Sequence, residues 1–342
     1  MRPLSPPTVR DRAVGALTGL AIGDALGMPT QSLPRGTIAS RYGGLIDGFH
    51  PGPPDHPLAA GLSAGTVTDD TEQAVILARL VIAGQGAVEP GSLATALLAW
   101  EDSMRARGSL DLLGPSTRRA LDALLAGADP GETGRTGTTN GAAMRITPVG
   151  VATVSADLDL LIDRVVAASR VSHDTGVALA GAAAVAAAVS AGLDGAAVPE
   201  AIGVAVRAAR RASARGHWVA AADVAARITW ATGLVRSLAP DQVLDLVYRL
   251  VGTSLATQES VPAAFAIAAA CPGDAWLACR MAASVGGDCD TIAAITGAIC
   301  GACLGAGAFP AEAVATVLTV NDLPLDDLAD GLLLVRSDAS AS

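Results

Sequence analysis

Residues 175–193 read TGVALAGAAAVAAAVSAGL, without a charge, a proline or an aromatic ring. A stretch this apolar and this rich in Ala reads as a helix that must be covered on all sides, by lipid or by other helices. Ala and Gly contribute little transfer free energy, and Leu, Ile and Phe are few, so a covering of other helices is expected. The uncharged stretch 291–310 is read in the same way. Working outward, apolar residues recur at three- and four-residue spacing, as in Leu93, Leu97, Leu98 and Trp100, or Leu158, Leu161, Ile162 and Val165. The spacing predicts helices over 11–26, 71–84, 91–107, 115–126, 157–170, 175–191, 197–214, 219–235, 240–251, 260–270, 273–284, 290–306, 311–319 and 325–334. Gly108, Gly127, Gly192 and Gly216 read as helix stops, and Asp157, Ser172 or Asp174, and Pro199 as starts. Residues 29–67, rich in Gly and Pro, and 127–141, rich in Gly and Thr, are expected to be loops. No alternating strand pattern stands out. The expected fold class is all-α: one compact orthogonal helix bundle over 10–336, with flexible tails at 1–9 and 337–342.

The composition agrees. Of 342 residues, 51% are apolar and 16% charged, with only three Phe, four Trp and two Tyr, so the core must be Ala, Val, Leu and Ile. The net charge is −10 and all 23 basic residues are Arg. Without a basic stripe or a set of stacking aromatics, no nucleic-acid partner is expected. The start, MRPLSPPTVRDRAVG, has no apolar signal core, which points to a cytoplasmic protein with no membrane partner. A monomer is the expected state. The five cysteines all lie in the last quarter. Cys300 and Cys303 form a CxxC with no second CxxC and no nearby His, so they read as buried reduced thiols.

Most acidic residues fall on solvated helix faces, but two clusters do not. One is Thr68-Asp69-Asp70-Thr71, ahead of an apolar helix. The other is Gly286-Gly287-Asp288-Cys289-Asp290-Thr291, opening another. Helix capping accounts for one Asp in each. It does not account for a second carboxylate beside an apolar helix, where like charges repel. A divalent cation relieves that repulsion, and carboxylate and hydroxyl oxygens suit Mg²⁺ or Mn²⁺ better than Zn²⁺. If the clusters meet in space, Thr68, Asp69, Asp70, Asp288, Asp290 and Thr291 can hold two metals.

These motifs, with GALTGLAIGDALGMPTQ (15–31), TVTDDTEQAVILARLV (66–81), TNGAAMRITPVG (139–150), VSHDTGVALAG (171–181), ESVPAAFAIAA (259–269) and GGDCDTIAAITGAICGA (286–302), run in order along nearly the whole chain. In them the chain resembles the ADP-ribosylglycohydrolase family, which includes the dinitrogenase-reductase-activating glycohydrolases. The resemblance implies a compact all-α fold with two Mg²⁺ or Mn²⁺ in a central cleft, held by the six residues above. It implies hydrolysis at the anomeric carbon of a ribosyl group, commonly releasing ADP-ribose; Asp69 or Asp70 is expected as the base or water-positioning group. Gly141, Ala142, Ala143, Met144 and Arg145 match the substrate loop; Arg145 would bind phosphate or pair with a neighbouring acid. His173 matches a cleft histidine, and Asp111 is the carboxylate of a loop bordering the ribose site. Asp24, in GDALG, would brace the metal cluster.

Two departures stand out. Gln31 stands where several relatives carry a Glu facing the metals, so that position cannot act as a base. Cys289 replaces a Thr between the two aspartates and should point away from the ions. The expected function is a binuclear-metal ADP-ribosyl hydrolase acting on modified protein or a small acceptor. The alternatives are a hydrolase of a small nucleoside-like or ribosylated metabolite, and a catalytically silent ADP-ribose-binding protein.

Overall fold

Thr8 starts the first helix. Its hydroxyl accepts from the Asp11 amide at 3.1 Å, and the Asp11 carboxylate accepts from the Thr8 amide at 3.0 Å, a capping box. The computed structural model describes residues 6–109 and 113–341. Its helices are α1 (Val9–Gly27), α2 (Arg35–Tyr42), α3 (Asp69–Ala83), α4 (Pro90–Ala106), α5 (Pro115–Leu125) and α6 (Gly141–Arg145). There follow α7 (Thr147–Val151), α8 (Leu158–Ser169), α9 (Gly176–Leu193), α10 (Val198–Ala212), α11 (Val224–Leu234) and α12 (Pro240–Leu246). The last are α13 (Thr257–Ala270), α14 (Ala275–Ala283), α15 (Cys289–Leu304), α16 (Ala311–Asn321) and α17 (Leu325–Ala341). The fold is all-α. Among the described residues only isolated bridges occur, Leu33–Gly287, Thr139–Ala256 and Thr175–His217, and they clasp loops together.

Two features organise the bundle. The first is α9, which by length and composition could cross a membrane yet is wholly buried, packed against α6, α7, α8, α10 and α15. The second is an antiparallel seam between α1 and α15. Gly15, Gly19, Gly23 and Gly27 recur every fourth residue, so they share one face of α1. A Cβ at Gly19 would stand 2.2 Å from the Gly297 carbonyl oxygen, and one at Gly23 would stand 2.0 Å from that of Ala293. The two backbones touch, which only glycine permits. At the far end Gly27 lies against the Asp290 backbone, so the seam brings the GDALG segment to the start of α15.

Where the structure differs from the sequence reading, local chemistry explains it. The expected loop 29–67 contains α2, framed by Pro34 as N-cap and by Gly43 at φ +74°. The Asp223 side chain accepts from the Ala226 amide at 2.7 Å, so α11 begins there and not at 219. Thr175, not Ser172 or Asp174, caps α9. Gly192 lies inside α9 against Ala302, and the left-handed residue that follows the helix is Gly195, at φ +100°. After α12 the chain continues as one π turn, Val247–Val251. The last helix runs to Ala341, past 336, with no Pro or Gly in its final residues to stop it.

Candidate active site

The end of α1 and the starts of α3 and α15 converge. Asp24 is fully buried and accepts from the Thr68 amide at 3.0 Å, the Thr68 hydroxyl at 2.8 Å, the Thr71 amide at 3.1 Å and the Thr71 hydroxyl. A carboxylate from another helix thus caps α3, which leaves Asp69 and Asp70 for other work. Thr291 donates to Asp70 Oδ2 at 3.2 Å, while Asp70 Oδ1 is buried with no hydrogen-bond partner. Asp288 precedes α15 but makes no side-chain cap; it accepts from Asn140 Nδ2, which also donates to Ser260 at 2.9 Å. Gly286 and Gly287, at φ +93° and +82°, make the turn that delivers Asp288. Backbone bonds then lock the surrounding loops: Ser32 N to Gly287 O at 2.7 Å, Asp288 N to Thr253 O at 2.8 Å and Asn140 N to Leu255 O at 2.9 Å.

The electrostatics follow from this convergence. Burial lifts the Asp24 carboxyl to about 6, against the opposing hydrogen bonds from Thr71 and Thr68. Burial lifts Asp288 to about 6 as well, against Asn140 and Thr291. Asp70 is raised well above the usual carboxylate range, first by burial and then by the charges of Asp69, Asp290, Asp24 and Asp288. The folded chain therefore holds protons on Asp24 and Asp288 up to about pH 6 that the unfolded chain releases near 3.8. Their contribution to stability is full below pH 3.8 and is lost as pH rises through 6. Chelated protein should accordingly lose stability from pH 4 to 7 in denaturant titrations, by about 1 kcal/mol or more. Adding Mn²⁺ should flatten that slope.

Among the described residues, no three His, Cys, Asp or Glu side chains already stand close enough together to hold an ion. The donor set nonetheless fits one. Its oxygens are hard, its carboxylates repel one another, and Asp70 Oδ1 is a buried acceptor with no donor.

A cavity of about 300 Å³ opens beside the cluster. Asp69, Asp288, Asp290 and Thr291 form one wall; Thr139, Asn140, Gly141 and Met144 form another; Gln31, Ser32 and Leu58 border it. Leu113, Gly114, Pro115 and Thr117, around the start of α5, and Leu255 close the remainder. Thr68 and Asp70 do not line the cavity, nor do Ala142, Arg145 and His173, all of which are buried. Arg145 donates to Gln73 Oε1 at 3.3 Å and to Ser172 at 2.7 Å, and burial lowers its pKa to about 10. His173 contacts Thr139 and Ser172, and burial, with the Arg145 charge, holds its pKa well below normal. Asp111 lies outside the described residues. Cys289 is buried, accepts from the Gly286 amide at 3.2 Å and does not line the cavity.

No sequence motif marks His56, yet the structure gives it a role. Its Nδ1 accepts from the Leu58 and Ala59 amides at 3.1 and 2.8 Å, so Nε2 carries the proton and donates to the Gln31 carbonyl at 2.8 Å. This buried ring ties the long 44–67 segment to the residue that borders the cavity. Thr139 and Asn140 were also missed, although both stand in the quoted TNGAAMR segment.

Residues 5–341 match the family described as ADP-ribosylglycohydrolase. An uncharacterized protein of Escherichia coli K12, YegU, is 34% identical over 97% of this chain and 99% of its own. The ADP-ribosyl-[dinitrogen reductase] glycohydrolase of Rhodospirillum rubrum is 32% identical over 50% of this chain and 54% of its own. A solved structure described as an ADP-ribosylglycohydrolase-related protein complex superposes with a TM-score of 0.70 and 27% identity, covering 96% of this chain and 98% of that one. With the whole chain matched in sequence and in fold, this protein belongs to the ADP-ribosylglycohydrolase family.

Proposed function

We propose that this protein binds two divalent cations, Mg²⁺ or Mn²⁺, on Thr68, Asp69, Asp70, Asp288, Asp290 and Thr291, and hydrolyses the bond between a ribosyl anomeric carbon and its acceptor. ADP-ribosyl conjugates are the proposed substrate class. The carrying observation is the buried carboxylate cluster beside a cavity, with Asp70 Oδ1 lacking any donor. Bound there, the cations would orient ribose hydroxyls and make a bound water more acidic. The chain's own residues supply the rest. Water attacks the anomeric carbon, the bond to the acceptor breaks with its electron pair leaving on the acceptor, and Asp69 takes the water proton. Asp69 has that role over Asp70 because it borders the cavity. Gln73 donates to Asp69 Oδ2 at 2.9 Å and fixes its orientation. The name of the Rhodospirillum rubrum relative supports the ADP-ribosyl class. The test is a hydrolysis screen with added Mg²⁺ or Mn²⁺ across ADP-ribosyl-arginine, ADP-ribosyl-serine, small ADP-ribose conjugates and nucleosides. Metal-dependent release of the ribosyl product is expected; turnover that survives chelation would refute the reading.

One observation favours a small, nucleoside-like substrate as a second reading. No Arg lines the cavity among the described residues, the chain has no Lys, and Gln31 offers a neutral amide whose Nε2 is buried without a partner. Gln31→Glu separates the two. If the amide recognises a small substrate, Glu loses the donor and kcat/KM falls about tenfold on that substrate, while ADP-ribosyl-arginine is hydrolysed as before or better. If modified protein is the substrate, the added carboxylate tightens metal binding and the rate holds or rises. Equal rates on every substrate would place Gln31 outside recognition altogether.

A further inference from the structure

Arg145 is buried inside the substrate loop and reaches the cavity through other side chains in two directions. On one side its guanidinium donates to Gln73 Oε1 at 3.3 Å, and Gln73 Nε2 donates to Asp69 at 2.9 Å. On the other it donates to Ser172 Oγ at 2.7 Å, Ser172 Oγ lies 2.8 Å from His173 Nδ1, and His173 Nε2 lies 3.0 Å from Thr139 Oγ1. Asp69 and Thr139 line the cavity; the four residues between them do not. Arg145, Ser172 and His173 show no exposed surface.

Arginine has donors and no acceptor, so it sets the direction of both chains. Gln73 must turn its oxygen to Arg145 and its NH₂ to Asp69. Ser172 must accept from Arg145, which leaves its single proton to place. His173 Nδ1 is 2.8 Å away and the Ser169 carbonyl 3.5 Å, so the proton goes to the ring. A ring that accepts at Nδ1 and is neutral carries its proton on Nε2, and donates it to Thr139. The Thr139 hydroxyl then has its own proton left over, and Thr139 borders the cavity.

We propose that Thr139 is a substrate-binding donor, aimed at an acceptor oxygen of the bound ribosyl compound, and that Arg145, Ser172 and His173 are positioning residues that fix its direction. The opposite arm gives Asp69 its fixed donor, Gln73, so one buried cation orients both Asp69 and Thr139, two residues that line the cavity. Gly141 belongs to this arrangement, because a Cβ there would stand 2.9 Å from His173 Cε1. The wiring stands on the geometry alone. Only the identity of the acceptor rests on the glycohydrolase reading.

The test has two arms. In ¹⁵N-histidine-labelled protein at pH 7, long-range ¹H–¹⁵N correlation should show His173 neutral with its proton on Nε2, the signal being assigned by its loss in His173→Gln. A proton on Nδ1, or an imidazolium, would overturn the direction of the chain. Ser172→Ala, a small change, should let the two tautomers mix; an unchanged pattern would remove Ser172 from the wire. In the second arm, ADP-ribose and adenosine are titrated calorimetrically against wild type, Thr139→Val and Thr139→Ser with Mg²⁺ present. Valine should weaken at least one ligand about five- to tenfold, and serine should restore it. Binding of both ligands with Thr139→Val equal to wild type would overturn the role of Thr139. Absence of hydrolysis on every substrate would refute the glycohydrolase reading while leaving the tautomer result to decide the wiring.

Discussion

Replacing Asp70 by Asn is expected to abolish turnover and, in chelated protein, to raise stability. The two effects have one cause. Asp70 is almost fully buried, surrounded by Asp24, Asp69, Asp288 and Asp290, and its Oδ1 receives no hydrogen bond. In the absence of a cation its charge is a net liability, and a neutral amide of the same shape removes it. The gain should be about 1 kcal/mol or more in chelator at pH 7. With Mn²⁺ the order reverses. Losing one hard anionic donor should weaken metal affinity by more than about 100-fold, because loss even of groups that only orient a ligand costs 10–100-fold. Denaturant titrations of both proteins, with chelator and with Mn²⁺, give the four numbers required. Asp290→Asn should behave in the same sense, since Asp290 raises Asp70 and borders the same cavity. A destabilised Asp70→Asn variant in chelator would mean that Asp70 is held by contacts that need its charge, and the cation-site reading of the cluster would fail.

Helix periodicity placed most of the bundle, because Ala-rich and Leu-rich stripes at three- and four-residue spacing leave few alternatives. It failed where one or two turns are held by surroundings instead of by pattern. α6 and α7 are five residues each, too short to show a period, and exist because Asn140 and Ile146 are fixed from outside and inside. α2 was hidden by the Gly and Pro that frame it. The carboxylate clusters were legible, since two adjacent acids ahead of an apolar helix are hard to explain by capping. Which oxygen caps which helix was not. Asp24 reaches Thr68 and Thr71 across 44 and 47 residues of chain.

The same limit separates motif from role at Arg145. Its place in TNGAAMR said that the residue matters, and a phosphate or an acid is the ordinary partner of an arginine. Its actual partners, Gln73 and Ser172, are neutral residues 72 and 27 positions away. Nothing in a single sequence marks such pairs. His56 is the converse: an isolated histidine in a Gly- and Pro-rich loop, whose use as a clasp depends on the carbonyl of Gln31, 25 residues earlier.

Gly19→Ala should be among the most damaging small substitutions in the core, and its sign runs against helix propensity. In a free helix the change stabilises by about 1 kcal/mol. At Gly19 the new Cβ would stand 2.2 Å from the Gly297 carbonyl oxygen and 2.7 Å from the Phe309 ring. The ring can shift, but the carbonyl belongs to the backbone of α15, and no rotamer change relieves that contact. α1 and α15 must separate, loosening the contacts at Gly15–Gly301 and Gly23–Ala293 together. Overpacking of this kind costs about 1–3 kcal/mol, and a backbone clash belongs at the upper end, so a net loss of about 2 kcal/mol is expected. Gly203→Ala in α10 is the control. A Cβ there meets only Arg207 Nη1, at 3.9 Å, so the propensity term acts alone and stability should rise by 0.5–1 kcal/mol, roughly. Chemical denaturation of the two variants should therefore move in opposite directions. The seam also carries Asp24 on one helix and Asp290 on the other, so Gly19→Ala should weaken Mn²⁺ binding while Gly203→Ala leaves it unchanged. If both variants were stabilised alike, α1 and α15 would not be in backbone contact, and the glycine repeat would no longer explain how the two acidic segments meet.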